Sequence, residues 1–254
     1  MSAMPVGLYS ISVRDVGVDD LLAWAATARI PFLHLRGGPR GYDIARRDPA
    51  ELERWRRAAE AVNVPITGVT SDLDLADLIN RPAAHGELAR LADGAVRLGA
   101  GWVRLLARHE PTAVHLAALP DAAVPPLPVD LLAELHHPGW LRGDAPAAFT
   151  QLMCRNDRLR LLADTAQLAA THDTEVWERL LPWARVLHLS DDGAGHDQRG
   201  RAAVALAAAS HIRGGQRIEV AVEWTGSPRT PAECLARYRS ALARWRHLAQ
   251  RSDP

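Results

Sequence analysis

Short apolar runs alternate along the whole chain with longer segments in which apolar residues recur every three or four positions. The runs of strand length are Val6–Ser12, Phe32–Leu35, Ile66–Thr70, Trp102–Leu106, Val129–Leu135, Leu159–Ala163, Val186–Leu189 and Ile218–Val222. Helical spacing covers Asp19–Ala28, Pro49–Val62, Ala84–Leu98, Ala145–Cys154, Thr174–Trp183, Ala202–Ser210 and Thr230–Leu248. Two helix starts carry their own signals. Asp48-Pro49 supplies an N-cap followed by proline at the first helical position, and Thr230-Pro231-Ala232-Glu233 is a capping box.

Strands that alternate with helices pair in parallel through right-handed crossovers. Eight strands, 254 residues and no compositional break favour one closed (β/α)8 TIM barrel over residues 1–254, an α/β fold, rather than a doubly wound sheet. The phosphate fingerprint of a dinucleotide fold, GxGxxG, does not follow the first strand. One flank is irregular: Pro111, Pro120, Pro125, Pro126 and Pro128 leave room only for a short helix at about Thr112–Leu119. The fourth helix is therefore expected to be shortened. That flank is then either open or covered by a partner, which allows a homo-oligomer.

Four of the apolar runs stop at an ionisable residue: Glu134, Asp164, His188 and Glu223. Such a group at the end of a buried strand is costly unless it is paired, solvated in a cleft or bound to metal. The four are spaced 30, 24 and 35 residues apart, about one βα unit each, which puts them on strands five to eight. Barrel enzymes carry their chemistry at the C-terminal ends of the strands. Three carboxylates and an imidazole there suit a hard or borderline divalent cation. Each residue also has a structural alternative. Glu134 can pair with Arg142, Asp164 can cap the turn at Thr165, His188 can be a packed core histidine, and Glu223 can pair with Arg229.

Composition narrows the function classes. The chain has 30 basic and 30 acidic residues, so no net field draws it to nucleic acid or anionic lipid. All of the basic residues are arginine, which excludes lysine Schiff-base chemistry and a P-loop lysine. Cys154 and Cys234 form no CxxC, and no apolar run is long enough to span a bilayer. Met1-Ser2-Ala3-Met4-Pro5 does not read as a signal peptide. A cytoplasmic protein with reduced thiols is expected.

The second half of the chain resembles a known family. Leu131-Leu132-Ala133-Glu134, Leu161-Leu162-Ala163-Asp164-Thr165, Val186-Leu187-His188-Leu189-Ser190-Asp191 and Val220-Ala221-Val222-Glu223-Trp224 are similar to the strand ends of xylose isomerase-like TIM barrels. That superfamily includes D-tagatose 3-epimerase, inosose dehydratase and endonuclease IV. The resemblance implies that Glu134, Asp164, His188 and Glu223 hold one divalent metal ion, manganese before cobalt, zinc or magnesium. It also implies that Glu134 and Glu223 exchange the substrate proton. The implied activity is isomerisation or epimerisation of a sugar, cyclitol or related polyhydroxy ketone through an enediolate. A lyase or dehydratase on the same metal site is the nearest alternative, and a non-catalytic binding or assembly barrel is a second.

The chain also departs from that pattern. Gln167 stands where many relatives carry a histidine, which argues against a second metal. Ile66–Thr70 offers no histidine or glutamate of the kind the endonuclease uses, so DNA repair is not expected. Further candidates for substrate contact are His34 and Arg36 at the end of the second strand and His137 and Trp140 after the fifth. Gln167, His196, Arg199 and Trp224 complete the set. Of His136 and His137, strand alternation lets only one point into the mouth.

Overall fold

A computed structural model describes residues 4–80, 82–119, 125–195 and 197–250. Eight parallel strands close into a barrel in sequence order: β1 (Val6–Tyr9), β2 (Leu33–Arg36), β3 (Ile66–Asp74), β4 (Trp102–Leu106), β5 (Asp130–Glu134), β6 (Leu159–Asp164), β7 (Ala184–Asp191) and β8 (Glu219–Trp224). The helices are α1 (Val18–Ala28), α2 (Pro49–Ala61), α3 (Leu75–Asn80), α4 (Pro82–Leu98), α5 (Ala113–Ala118), α6 (Ala145–Arg155), α7 (Thr165–Leu168), α8 (Thr174–Leu180), α9 (Gln198–Arg213) and α10 (Pro231–Gln250). The expected (β/α)8 barrel is present. Its helix after β4, α5, is six residues long, as the surrounding prolines require.

Most apolar side chains pack between the barrel and its helices. A smaller group, Trp102, Leu132, Leu162 and Val186, fills the barrel interior beneath the mouth. Gly68 makes space for it, since a Cβ there would stand 1.9 Å from the Trp102 ring. Above this apolar layer the inward positions turn polar. No helix among the described residues is long and apolar enough to cross a membrane.

Three elements differ from the sequence expectation, and each difference brings a side chain to the mouth. The first strand ends at Tyr9, and Ser10–Ser12 form a 3-10 turn. There the hydroxyls of Ser10 and Ser12 accept from the backbone N–H groups of Arg36 and Trp224, where the ladder would otherwise stop. β3 runs four residues further, to Asp74, whose carboxylate then accepts from Ala76 N at the start of α3. The four-residue α7 follows β6 because Asp164 Oδ1 accepts from the N–H groups of both Ala166 and Gln167.

Candidate active site

Side chains two residues apart on a strand share a face. Tyr9, Thr70, Arg104, Glu134, Asp164, His188 and Glu223 accordingly form one buried polar layer at the C-terminal end of the barrel. Three of them converge. Asp164, His188 and Glu223 each place one ligand-type atom within 4.8 Å of the others. Burial, then the negative charges of Glu223 and Glu134, pushes the Asp164 carboxyl up to about 7. Burial, then the charge of Glu134, pushes Glu223 up to about 7 as well. Two carboxyls crowded in a dry site and raised in this way are a preformed place for a cation.

The histidine of this triad is oriented from below. His188 Nδ1 faces Glu223 Oε2 at 3.0 Å, and its Nε2 lies 3.0 Å from His34 Nδ1. His34 Nε2 in turn lies 2.7 Å from Glu219 Oε1, which also accepts from Thr67 Oγ1 and Trp102 Nε1. Burial favours a neutral Glu219, but the hydrogen bonds from His34, Thr67 and Trp102 prevail and hold it ionised, an acceptor only. His34 Nε2 must therefore carry the proton. Burial lowers the pKa of His34 to about 4, so its Nδ1 is left as an acceptor and His188 Nε2 donates to it. His188, held neutral by burial with a pKa lowered to about 4, then presents a lone pair at Nδ1. A hydrogen bond from Glu223 to that lone pair requires a proton on Glu223, in keeping with its raised pKa. A divalent cation would take that proton's place.

Glu134 lies in the same layer but is engaged elsewhere. Arg104 Nη1 donates to its Oε2 at 2.5 Å, and His136 Nε2 stands 3.1 Å from its Oε1. Burial would raise the Glu134 pKa, but the Arg104 charge and the His136 hydrogen bond hold it well below the usual carboxylate range. Arg104 also donates to the Ser71 carbonyl, while its buried Nε has no partner. That unmatched N–H is an invitation to a water or a substrate oxygen.

Other candidates fall at varying distances from this centre. Arg36 ends β2 on the same inward side as His34 and is half-buried. Gln167 Nε2 reaches His136, at the rim. His137 turns away: its Nδ1 accepts from Gly139 N and caps the following turn, while His136, two residues after Glu134, takes the inward place. Trp140 is enclosed against Phe149 and donates to the His109 carbonyl. Trp224 is also enclosed; it donates to the Pro228 carbonyl and lies under the Arg237 guanidinium. Arg199 is exposed near the start of α9, and His196 lies outside the described residues. Asp164 does cap α7, with its second oxygen accepting from Ser190 Oγ.

Sequence reasoning missed Arg104, Ser190 and Glu219, and it named His137 where His136 takes the inward place. Arg104 did leave a signal, as a lone cation in the middle of the apolar run Trp102–Leu106. Glu219 likewise interrupts an otherwise apolar final strand, and its bond to His34 now accounts for it.

No protein-family model matches the chain, and no curated protein matches it in sequence. Solved structures match in fold. D-psicose 3-epimerase, solved in the presence of D-fructose, aligns with a TM-score of 0.70 at 13% identity, over 97% of this chain and 99% of that one. A xylose isomerase-like TIM barrel protein from Mycobacterium smegmatis in complex with magnesium aligns with a TM-score of 0.63 at 12% identity, over 97% and 98%. A probable 3-DHS dehydratase involved in petrobactin synthesis, from Bacillus anthracis, aligns at 0.63 and 13%, over 98% and 100%. The fold is that of the xylose isomerase-like TIM barrels.

Proposed function

We propose that this protein is a divalent-metal-dependent isomerase or epimerase of a sugar, cyclitol or related polyhydroxy ketone. The observation that carries the reading is the convergence of Asp164, His188 and Glu223, with both carboxyls raised by burial and by neighbouring carboxylate charge. The donor set fits a cation, since it offers two carboxylate oxygens and one imidazole lone pair from three adjacent strands. Asp164, His188 and Glu223 would hold the ion, with Glu134 as a fourth ligand once Arg104 moves off it. Manganese is the first choice, followed by cobalt, zinc or magnesium, the last bound by the M. smegmatis neighbour.

When bound, such an ion polarises a substrate carbonyl and acidifies the neighbouring carbon–hydrogen bond. The chain's own groups then divide the proton work unequally. Glu223, a carboxylate once the cation has displaced its proton, would take up and return the substrate proton. Glu134, kept ionised by Arg104 and His136, is the poorer acid; it gains proton affinity only as Arg104 turns toward negative charge developing on the substrate. Arg104 is suited to that role by its unmatched Nε. Tyr9 stacks on His188 with ring centroids 5.1 Å apart and closes the floor against water.

The test is solvent deuterium exchange into a panel of ketoses, keto-acids and inososes, with Glu223→Gln as control. Deuterium at the carbon beside the carbonyl, lost in the variant, supports an isomerase or epimerase. An α,β-unsaturated product points to the lyase reading that the dehydratase neighbour suggests. No exchange in any compound leaves a binding barrel as the better account.

A further inference from the structure

A second hollow lies beside the triad, at the C-terminal ends of β1 and β2. It has a volume of about 640 Å³ and is lined by Ser10, Arg14, Arg36 and Arg40 among others. It adjoins the proposed site directly. Ser10 follows Tyr9, whose ring rests on His188, and β1 pairs with β8, the strand that carries Glu223.

Cations dominate this hollow. Arg40 is matched, with Asp72 as its partner. Arg36 and Arg14 have no side-chain hydrogen bond or ion pair among the described residues. Arg229, on the loop after β8, gives its donors to the carbonyls of Thr225, Gly226 and Ile11 and meets no carboxylate at pairing distance among the described residues. Arg14 sits between this hollow and a second one of about 590 Å³ that Arg229 lines. Arg229 lies within the fields of the other two: burial, then the charges of Arg14 and Arg36, lowers its pKa. Against them stand the exposed Asp15 on the rim, Asp72, already paired with Arg40, and Glu223, whose charge acts on Arg229. Like charges gathered this way repel and are relieved by an anion.

The hollow is also built rather than incidental. The loop after Arg36 folds back so tightly that a Cβ at Gly41 would stand 2.1 Å from the Arg36 carbonyl oxygen. Tyr42 N donates to that same oxygen, and Ser10 Oγ accepts from Arg36 N. Arg36 is thereby held from both sides with its guanidinium free. A planar guanidinium in such a setting recognises a carboxylate or phosphate through paired N–H donors.

We propose that this hollow binds an oxyanion at one end of the substrate, so that the substrate is an acidic polyhydroxy ketone, a sugar acid or sugar phosphate, rather than a neutral sugar. The proposal rests on the isomerase reading for what happens at the other end of that molecule.

The test separates the two. Chelator-treated full-length protein is titrated with inorganic phosphate and with malonate by calorimetry, alongside Arg36→Gln, Arg14→Gln and Asp164→Asn. Saturable binding of at least one oxyanion is expected, weakened tenfold or more by Arg36→Gln, weakened less by Arg14→Gln and unchanged by Asp164→Asn. Tighter binding of phosphate indicates a phosphate ester, and tighter binding of malonate indicates a carboxylate. Absence of saturable binding, or binding that both arginine variants retain, overturns the proposal. Should Arg36→Gln fail to fold, the exposed Arg14→Gln decides. A parent chain that takes up no divalent metal yet still binds the oxyanion would sink the isomerase reading and leave the subsite standing.

Discussion

His34 Nδ1 lies 3.0 Å from His188 Nε2, and this single bond decides which nitrogen His188 turns toward Glu223. The chain Glu219–His34–His188 fixes one tautomer in each ring, because a carboxylate at its far end can only accept. Replacing His34 by alanine, or Glu219 by glutamine, should lower divalent-metal affinity by about 10–100-fold. Calorimetric titration with manganese checks this. Nitrogen-15 spectra of the His188 ring should show its proton on Nε2 in the parent and mixed tautomers in the variants.

Arg104 and Glu134 form a buried ion pair at 2.5 Å. Removing one partner leaves the other charged and dry. Arg104→Met should therefore cost roughly 3–5 kcal/mol in urea unfolding, and adding Glu134→Gln should recover part of it. A double variant no more stable than Arg104→Met alone would show that the pair does not set the penalty.

Asp164 serves two ends at once, since one of its oxygens caps α7 while the carboxylate also belongs to the triad. Asparagine also caps helices, so the two roles can be separated. Asp164→Asn should lose metal binding yet keep the thermal stability of the metal-free chain below about pH 6, where Asp164 is protonated. Asp164→Ala should lose metal binding and about 1 kcal/mol of stability as well.

The raised carboxyls make metal-free stability fall with pH. Asp164 and Glu223 titrate near 7 in the folded chain, well above their ordinary values. Between those values the folded state binds more protons than the unfolded, so stability drops as pH rises. His34 and His188, with pKa values lowered to about 4, act in the opposite sense, but only up to their unfolded value near 6.5. The decline should thus emerge between about pH 6 and 8, at roughly 1 kcal/mol per carboxyl. His136, whose pKa is raised because its bond to Glu134 outweighs burial, adds to it in the same direction. Thermal melts across this range should show the decline, reduced in Asp164→Asn. Saturating metal should remove most of it, because the cation replaces the protons.

Much of this was legible in the residue pattern, for a physical reason. A strand buried on both faces reads as an unbroken apolar run, so a charge at its end stands out, and Glu134, Asp164, His188 and Glu223 all did. The barrel followed from the count and spacing of such runs. What could not be read was which charges meet. Glu134 and Glu223 look alike in sequence, but only a folded barrel brings Arg104 onto one and leaves the other against His188. Trp140 and Trp224 follow charged strand ends just as a sugar-stacking ring would. The loops nevertheless fold them inward, to carbonyls that accept their N–H groups. His136 and His137 were separable by strand alternation alone, yet their choice depended on whether the strand geometry continued past Glu134.

The most direct test of the account is the metal stoichiometry of the triad. Chelator-stripped protein is titrated with manganese, and Asp164→Asn and Glu223→Gln are titrated beside it. The expected result is one ion per chain in the parent, with affinity falling at least a hundredfold in each variant. A parent chain that takes up no manganese, cobalt, zinc or magnesium, or variants that bind as tightly as the parent, would contradict a metal centre at Asp164, His188 and Glu223.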